Sequence, residues 1–92
     1  MTHPNELPVE VIPDLPADAI ELARLWVTSN RSYVAVGYPD RWSPELIGSL
    51  LVESAYTVAT AYAAQGDMSE AAALDAIWRG FDEERERLKN GH

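Results

Sequence analysis

Between Pro44 and Gln65 the chain reads PELIGSLLVESAYTVATAYAAQ, and its only charged residues are Glu45 and Glu53. A helix on the surface of a globular domain normally carries a charged stripe, and one that is weakly polar all round is enclosed on more than one side. The helix bounds are well marked. Ser43 is an N-cap type, Pro44 occupies the first helical position, Glu45 complements the positive end of the dipole, and Gly66 follows as a left-handed C-cap. The expected core stripe is Leu46, Ile47, Leu50, Leu51, Ser54, Ala55, Val58 and Tyr62. A second, weakly polar face holds Gly48, Ser49, Val52, Tyr56, Ala59, Thr60 and Ala63. One side can meet a hairpin and the other a second helix. The small residues Gly48, Ala55 and Ala59 permit close approach. This second face is either buried within the monomer or shared with another subunit.

The enclosing partners are sought in the rest of the 92 residues. Residues 1–16 carry Pro4, Pro8, Pro13 and Pro16, which forbid helix and favour extended chain. Leu7, Val9, Val11, Ile12 and Leu15 are too apolar for a free tail, so this is read as an extended arm lying on the domain. An edge strand is admissible near Val9–Ile12. Residues 18–38 form a poor helical stripe but a coherent hairpin turning at Ser29-Asn30-Arg31-Ser32. Ala23, Leu25, Val27, Val34 and Val36 then share one aliphatic face, and Leu22, Arg24, Trp26, Tyr33 and Ala35 share the other. A helix over residues 17–27 is the competing reading.

A second helix is expected from Ser69 to Lys89, capped by Ser69 or by an Asp67/Glu70 box, with Leu74, Ile77, Trp78, Phe81 and Leu88 on its apolar face. The short GDMS link makes the two helices antiparallel. The expected fold is α+β: an arm over residues 1–16, then one domain over 17–92 with an antiparallel β-hairpin and two antiparallel α-helices in two layers.

Fifteen Asp and Glu against seven Lys and Arg give a net charge of -8 with His neutral. That balance repels phosphate backbones and anionic membranes, so neither nucleic acid nor membrane is an expected partner. No uninterrupted apolar run reaches the length of a bilayer span. The first sixteen residues do not resemble a signal peptide, and the cytoplasm is the expected location. Cys is absent, which removes disulfides and thiolate metal sites. His3 and His92 stand at ends expected to fray, unsuited to a base or a metal ligand. No nucleophile motif or glycine-rich phosphate loop occurs. The run DEERERLK reads as a salt-bridged solvent face, with Glu83 and Glu84 reaching Arg87. No catalytic, cofactor-binding or metal residue is therefore assigned, and the chain is read as a non-enzyme.

Two surfaces suit a partner. One is the long helix, through Gly48, Val52, Tyr56 and Ala59. The other is the mixed hairpin face, where Arg24, Trp26 and Tyr33 have hot-spot composition; packing by the chain's own arm explains that face equally. The loop GYPDRWSPE, residues 37–45, is a helix-entry corner. Gly37 allows an unusual backbone angle, and Trp42 staples onto Ile47. Tyr38, Asp40, Arg41 and Trp42 make a weak pocket candidate there.

The stretches AIELARLWVTSNRSYVAVG and LIGSLLVESAYTVATAYA resemble a family of small bacterial domains of unknown function, with GSLLVESAYTVATA, Gly48 to Ala61, as the matching helix pattern. The resemblance covers about residues 17–65, rests on packing residues and implies no reaction. The expected role is a small interaction or structural module, self-associating through the long helix or the hairpin face. The alternative is a small-molecule-binding or regulatory domain with its pocket near residues 37–43.

Overall fold

The computed structural model describes residues 3–37 and 40–91. The fold is α+β: an N-terminal arm, an antiparallel hairpin and two helices. It divides into two units, Met1–Pro39 and Asp40–His92, and each is described by itself.

In the first unit the hairpin consists of β1 (Ala23–Val27) and β2 (Ser32–Val36). The register pairs Ala23 with Val36, Arg24 with Ala35, Leu25 with Val34, Trp26 with Tyr33 and Val27 with Ser32. Both faces therefore carry the residues that the alternation predicts. The turn begins one residue earlier than expected, over Thr28–Arg31. Thr28 N–H donates to the Arg31 carbonyl at 2.8 Å, and Thr28 Oγ1 accepts from the N–H groups of Asn30 and Arg31. A threonine side chain thus satisfies the donors that a glycine turn would leave to solvent. Gly37 N–H continues the ladder to the Leu22 carbonyl at 2.9 Å. The left-handed angle allowed for Gly37 is not used: Gly66 is the positive-φ glycine among the described residues.

The arm is less extended than its prolines imply. The edge strand considered near Val9–Ile12 is instead one 3-10 turn, Val9–Val11. Val11 N–H donates to the Pro8 carbonyl and Ile12 N–H to the Val9 carbonyl. Pro8 lacks an N–H but keeps its carbonyl, so it can open such a turn and cannot join a ladder from both sides.

In the second unit α1 (Pro44–Gln65) starts at Ser43, whose Oγ accepts from Leu46 N–H at 3.1 Å, and ends at Gly66 with φ 87°. α2 (Glu70–Asn90) starts at Ser69, whose Oγ accepts from Ala72 N–H at 3.1 Å. The Ser69 cap therefore replaces the Asp67/Glu70 box, and Glu70 bonds elsewhere.

The helices meet at the border of the two expected faces of α1, on Ala55 of the core stripe and Ala59 of the weakly polar face. Ala59 is 0 % exposed, and Ala55 and Ala73 are also buried. Tyr56 packs edge-on against Trp78 at 6.3 Å, and Trp78 against Phe81 at 6.2 Å. Thr60 Oγ1 lies 3.2 Å from Glu70 Oε2 and donates to it. The closest approach falls on alanines, because they let two backbones approach where leucines hold them apart. Of the expected core stripe, Ala55 is buried, Ile47 and Leu50 are half-buried, and Leu46, Leu51, Ser54, Val58 and Tyr62 are exposed. Gly48, expected at the close approach, has no atom within 4 Å of where a Cβ would stand.

Candidate interaction surfaces

The mixed hairpin face is already occupied by the arm. His3 stacks edge-on against Trp26 with ring centroids 4.8 Å apart, and Glu6 Oε2 lies 3.0 Å from Arg24 Nη1. Glu21 Oε1 accepts from Arg24 Nε at 2.7 Å. The hydrogen bond to Glu21, with the charges of Glu21 and Glu6, raises the Arg24 pKa above its already high ordinary value. Arg24 is therefore a cation with two carboxylates of its own. Tyr33 is covered in turn by the Arg31 guanidinium, 4.2 Å from the ring centroid. His3, expected at a fraying end, is held by Trp26 and accepts from Asn5 N–H at its Nδ1. The three residues chosen for hot-spot composition are thus engaged within their own unit. Sequence could not tell self-packing from partner-binding here, since both use an aromatic beside an arginine.

The opposite, aliphatic face of the hairpin stands open. Leu25 is 75 % and Val27 84 % exposed, and Val34 and Val36 are also exposed. Sequence reasoning took this face for core, and its composition is what core requires. A two-stranded sheet alone is marginal in water, and its stability depends on covering such a face.

On α1, Ala59 is buried, Tyr56 touches Trp78 of α2 by a ring edge while staying half exposed, and Val52 is exposed. Outside that contact α1 carries the exposed and uncharged Leu51, Ser54, Val58, Ala61 and Tyr62. The serine hydroxyl is silenced by the helix itself: Ser54 Oγ donates to the Leu50 carbonyl at 2.7 Å. Ser49 and Thr57 likewise donate to the carbonyls of Glu45 and Glu53. Such back-bonding makes α1 behave as more apolar than its letters imply. By length and composition α1 is in fact long and apolar enough to cross a membrane. This corrects the reading that no segment reaches that length: interruption by Ser, Thr and Glu hides an average that twenty-two residues sustain.

The loop before α1 offers less. Asp40 and Arg41 are exposed and Trp42 half-buried, while Tyr38 lies outside the described residues. The Arg41 guanidinium sits 5.4 Å from the Trp42 ring centroid. Trp42 Nε1 is buried without a hydrogen-bond acceptor among the described residues. Two clefts flank the hairpin, the larger of about 280 Å³ beside Glu6, Arg24 and Trp26, and neither is lined by Asp40, Arg41 or Trp42.

Arm, hairpin and paired helices make an α+β chain, and each of its two units leaves apolar surface that it does not bury by itself. The chain belongs to a family described as a domain of unknown function (DUF5076), which matches residues 6–89. A similar solved structure is described as that of "a putative pyruvate dehydrogenase from the photosynthetic bacterium Rhodopseudomonas palustrus CGA009". It is 32% identical, with a TM-score of 0.68, and the match covers 95% of this chain and 88% of that one. None of the curated proteins compared with the chain matches it.

Proposed function

We propose that this protein is a non-catalytic interaction module that associates with a second copy of itself through apolar surface on α1, on the hairpin, or on both. One observation carries the reading. The buried apolar residues among those described are three alanines, Ala55, Ala59 and Ala73, while Leu25, Val27, Leu51, Val58 and Tyr62 face outward. Each large aliphatic side chain taken out of water contributes about 1.5–3 kcal/mol. A fold without disulfides that leaves so many exposed gains its missing stability by association.

A membrane is the less favoured cover for α1. Glu53 lies near the middle of the helix and Glu70 is bonded to Thr60. An acidic side chain near the centre of a spanning helix costs roughly 2.5–3.5 kcal/mol. The dehydrogenase description belongs to the similar structure, and the residues here lend it little. Decarboxylating a 2-oxo acid leaves a carbanion that a bound cofactor must stabilise. Among the described residues no three His, Cys, Asp or Glu are grouped to hold a metal. The glycines at 37, 48, 66, 80 and 91 form no phosphate-cradling loop. A ligand site beside Arg24 is also disfavoured, because Glu6 and Glu21 already neutralise that guanidinium.

Sedimentation at low micromolar concentration tests the proposal. A particle of twice the 10.2 kDa chain mass is expected. Leu51→Glu, which places a charge among the exposed apolar residues of α1, should weaken association through α1 while leaving far-UV helicity in place. A single species of one chain mass at tens of micromolar (roughly, the range where weak transient dimers form) overturns it.

A further inference from the structure

Asn90 and Gly91 are the one Asn-Gly pair in the chain. The backbone nitrogen that follows the asparagine there belongs to a residue without a side chain, so nothing shields it and its backbone turns freely toward the asparagine amide. We propose that Asn90 is a site of spontaneous deamidation in the folded protein, opened by fraying of the last turn of α2. In the reaction the Gly91 nitrogen bonds to Asn90 Cγ and the Cγ–Nδ2 bond breaks. The side-chain nitrogen leaves as ammonia, taking the proton that the Gly91 nitrogen gives up. Water then adds to the cyclic imide and breaks one of its two C–N bonds, leaving aspartate or isoaspartate. Water is the only co-reactant, and nothing is oxidised or reduced.

Three features place the reaction here. The first is the glycine, which the helix stop itself demands. Gly91 caps α2, its N–H donating to the Arg87 carbonyl at 2.8 Å, and a Cβ at that position would stand 2.9 Å from the same oxygen. The residue that ends the helix thereby supplies the unshielded nitrogen. Asn5 and Asn30 precede Glu6 and Arg31, whose side chains hinder the same attack. The second feature is how lightly the pair is held. Asn90 and Gly91 are exposed, so water reaches the imide. Besides the Gly91 bond to Arg87, Asn90 Nδ2 donates to Glu86 Oε1 at 3.2 Å. Helical backbone keeps the Gly91 nitrogen turned away from Cγ, and both bonds must open before the two atoms meet. A terminal turn opens at almost no cost in free energy. The third feature makes the change one-way. The amide that donated to Glu86 becomes a carboxylate, one turn from the Glu86 carboxylate and at the negative end of the helix dipole. Isoaspartate also lengthens the backbone by a carbon. The last turn of α2 then no longer closes, and the Gly91 cap is lost.

The test is incubation of the full chain in warm neutral buffer, with and without urea, followed by peptide mapping with mass spectrometry. The peptide carrying residue 90 should gain the mass that separates an acid from its amide and split into two products, ahead of any change at Asn5 or Asn30. The native rate should fall below the rate in urea by only about two-fold to ten-fold, the factor that one net hydrogen bond supplies. Gating by global unfolding would instead slow it roughly a thousand-fold or more. Asn90→Asp, which is one of the two products, should speed hydrogen exchange at the Gly91 amide, read by NMR. Asn90→Gln, whose longer side chain closes a ring less readily, should keep its amide over the same incubation. Conversion at residue 90 in urea but none in the native protein would show that the turn stays closed, and would overturn the proposal. Equal conversion at Asn5, Asn30 and Asn90 would overturn the role given to Gly91. Unchanged exchange at Gly91 in Asn90→Asp would overturn the one-way loss of the turn.

Discussion

Ala59 is the residue on which the helix pair closes, and enlarging it should be costly. It is 0 % exposed, with Ala55 one turn before it and Ala73 of α2 also buried. Substitution Ala59→Leu adds three carbon atoms where no solvent-filled space receives them. Either α1 and α2 move apart or the new side chain leaves its rotamer minimum. Overpacking of this kind typically costs ~1–3 kcal/mol. For a domain of this length one kcal/mol displaces the melting temperature by roughly 4–8 °C. A fall on the order of 10 °C is thus expected, read by circular dichroism at fixed protein concentration, because association would make the midpoint depend on it. Ala64→Leu is the matched control. Ala64 is exposed, so the same three carbons there should move the midpoint little. Equal midpoints for Ala59→Leu and wild type would refute the alanine seam, and with it the assignment of which side of α1 meets α2.

Other outcomes follow from the helix ends and the surface charges. Ser43→Ala removes the acceptor of Leu46 N–H and should lower stability by about 1 kcal/mol in chemical denaturation. Gly66→Ala puts a Cβ on a residue at φ 87° with nothing within 4 Å; the strain is purely of the backbone and should cost about 1 kcal/mol. The hydrogen bond from Arg87 holds Glu84 below the usual carboxylate range, against an opposing desolvation. A carboxylate whose folded pKa is depressed stabilises above its unfolded pKa and loses that contribution as pH falls through the folded one. Stability should therefore decline in acid below the ordinary carboxylate range, less so in Glu84→Gln, and the exposed pair makes the difference small.

What the sequence disclosed and what it hid divide along physical lines. Caps are local chemistry, so Ser43 and Gly66 could be read directly and Ser69 as one of two candidates, and the hairpin pairing followed from face parity at Leu25, Val34, Trp26 and Tyr33. Ala55 and Ala59 were legible as places of close approach, but whether α2 or another subunit would take them was not. Both faces are apolar, and periodicity measures polarity, whereas helix approach depends on side-chain size at Ala55 and Ala59. The arm's turn at Val9–Val11 was hidden because proline spacing excludes long helix but says nothing against a single 3-10 turn. The arm was one of two readings for the Arg24 and Trp26 face, but which of its residues meet that face was hidden. His3 and Glu6 lie far from it in the chain, and no local pattern announces that an arm will double back.

The hairpin has one more consequence. With two strands in its sheet, each strand has one flank that its partner does not use, and such a flank is a template for any extended segment that drifts past. The hairpin presents two such templates beside bare leucine and valine, and heating that loosens the chain brings extended segments to them. Recovery after thermal denaturation should then worsen as the protein is made more concentrated, which favours dilute refolding and cool storage for anyone preparing it.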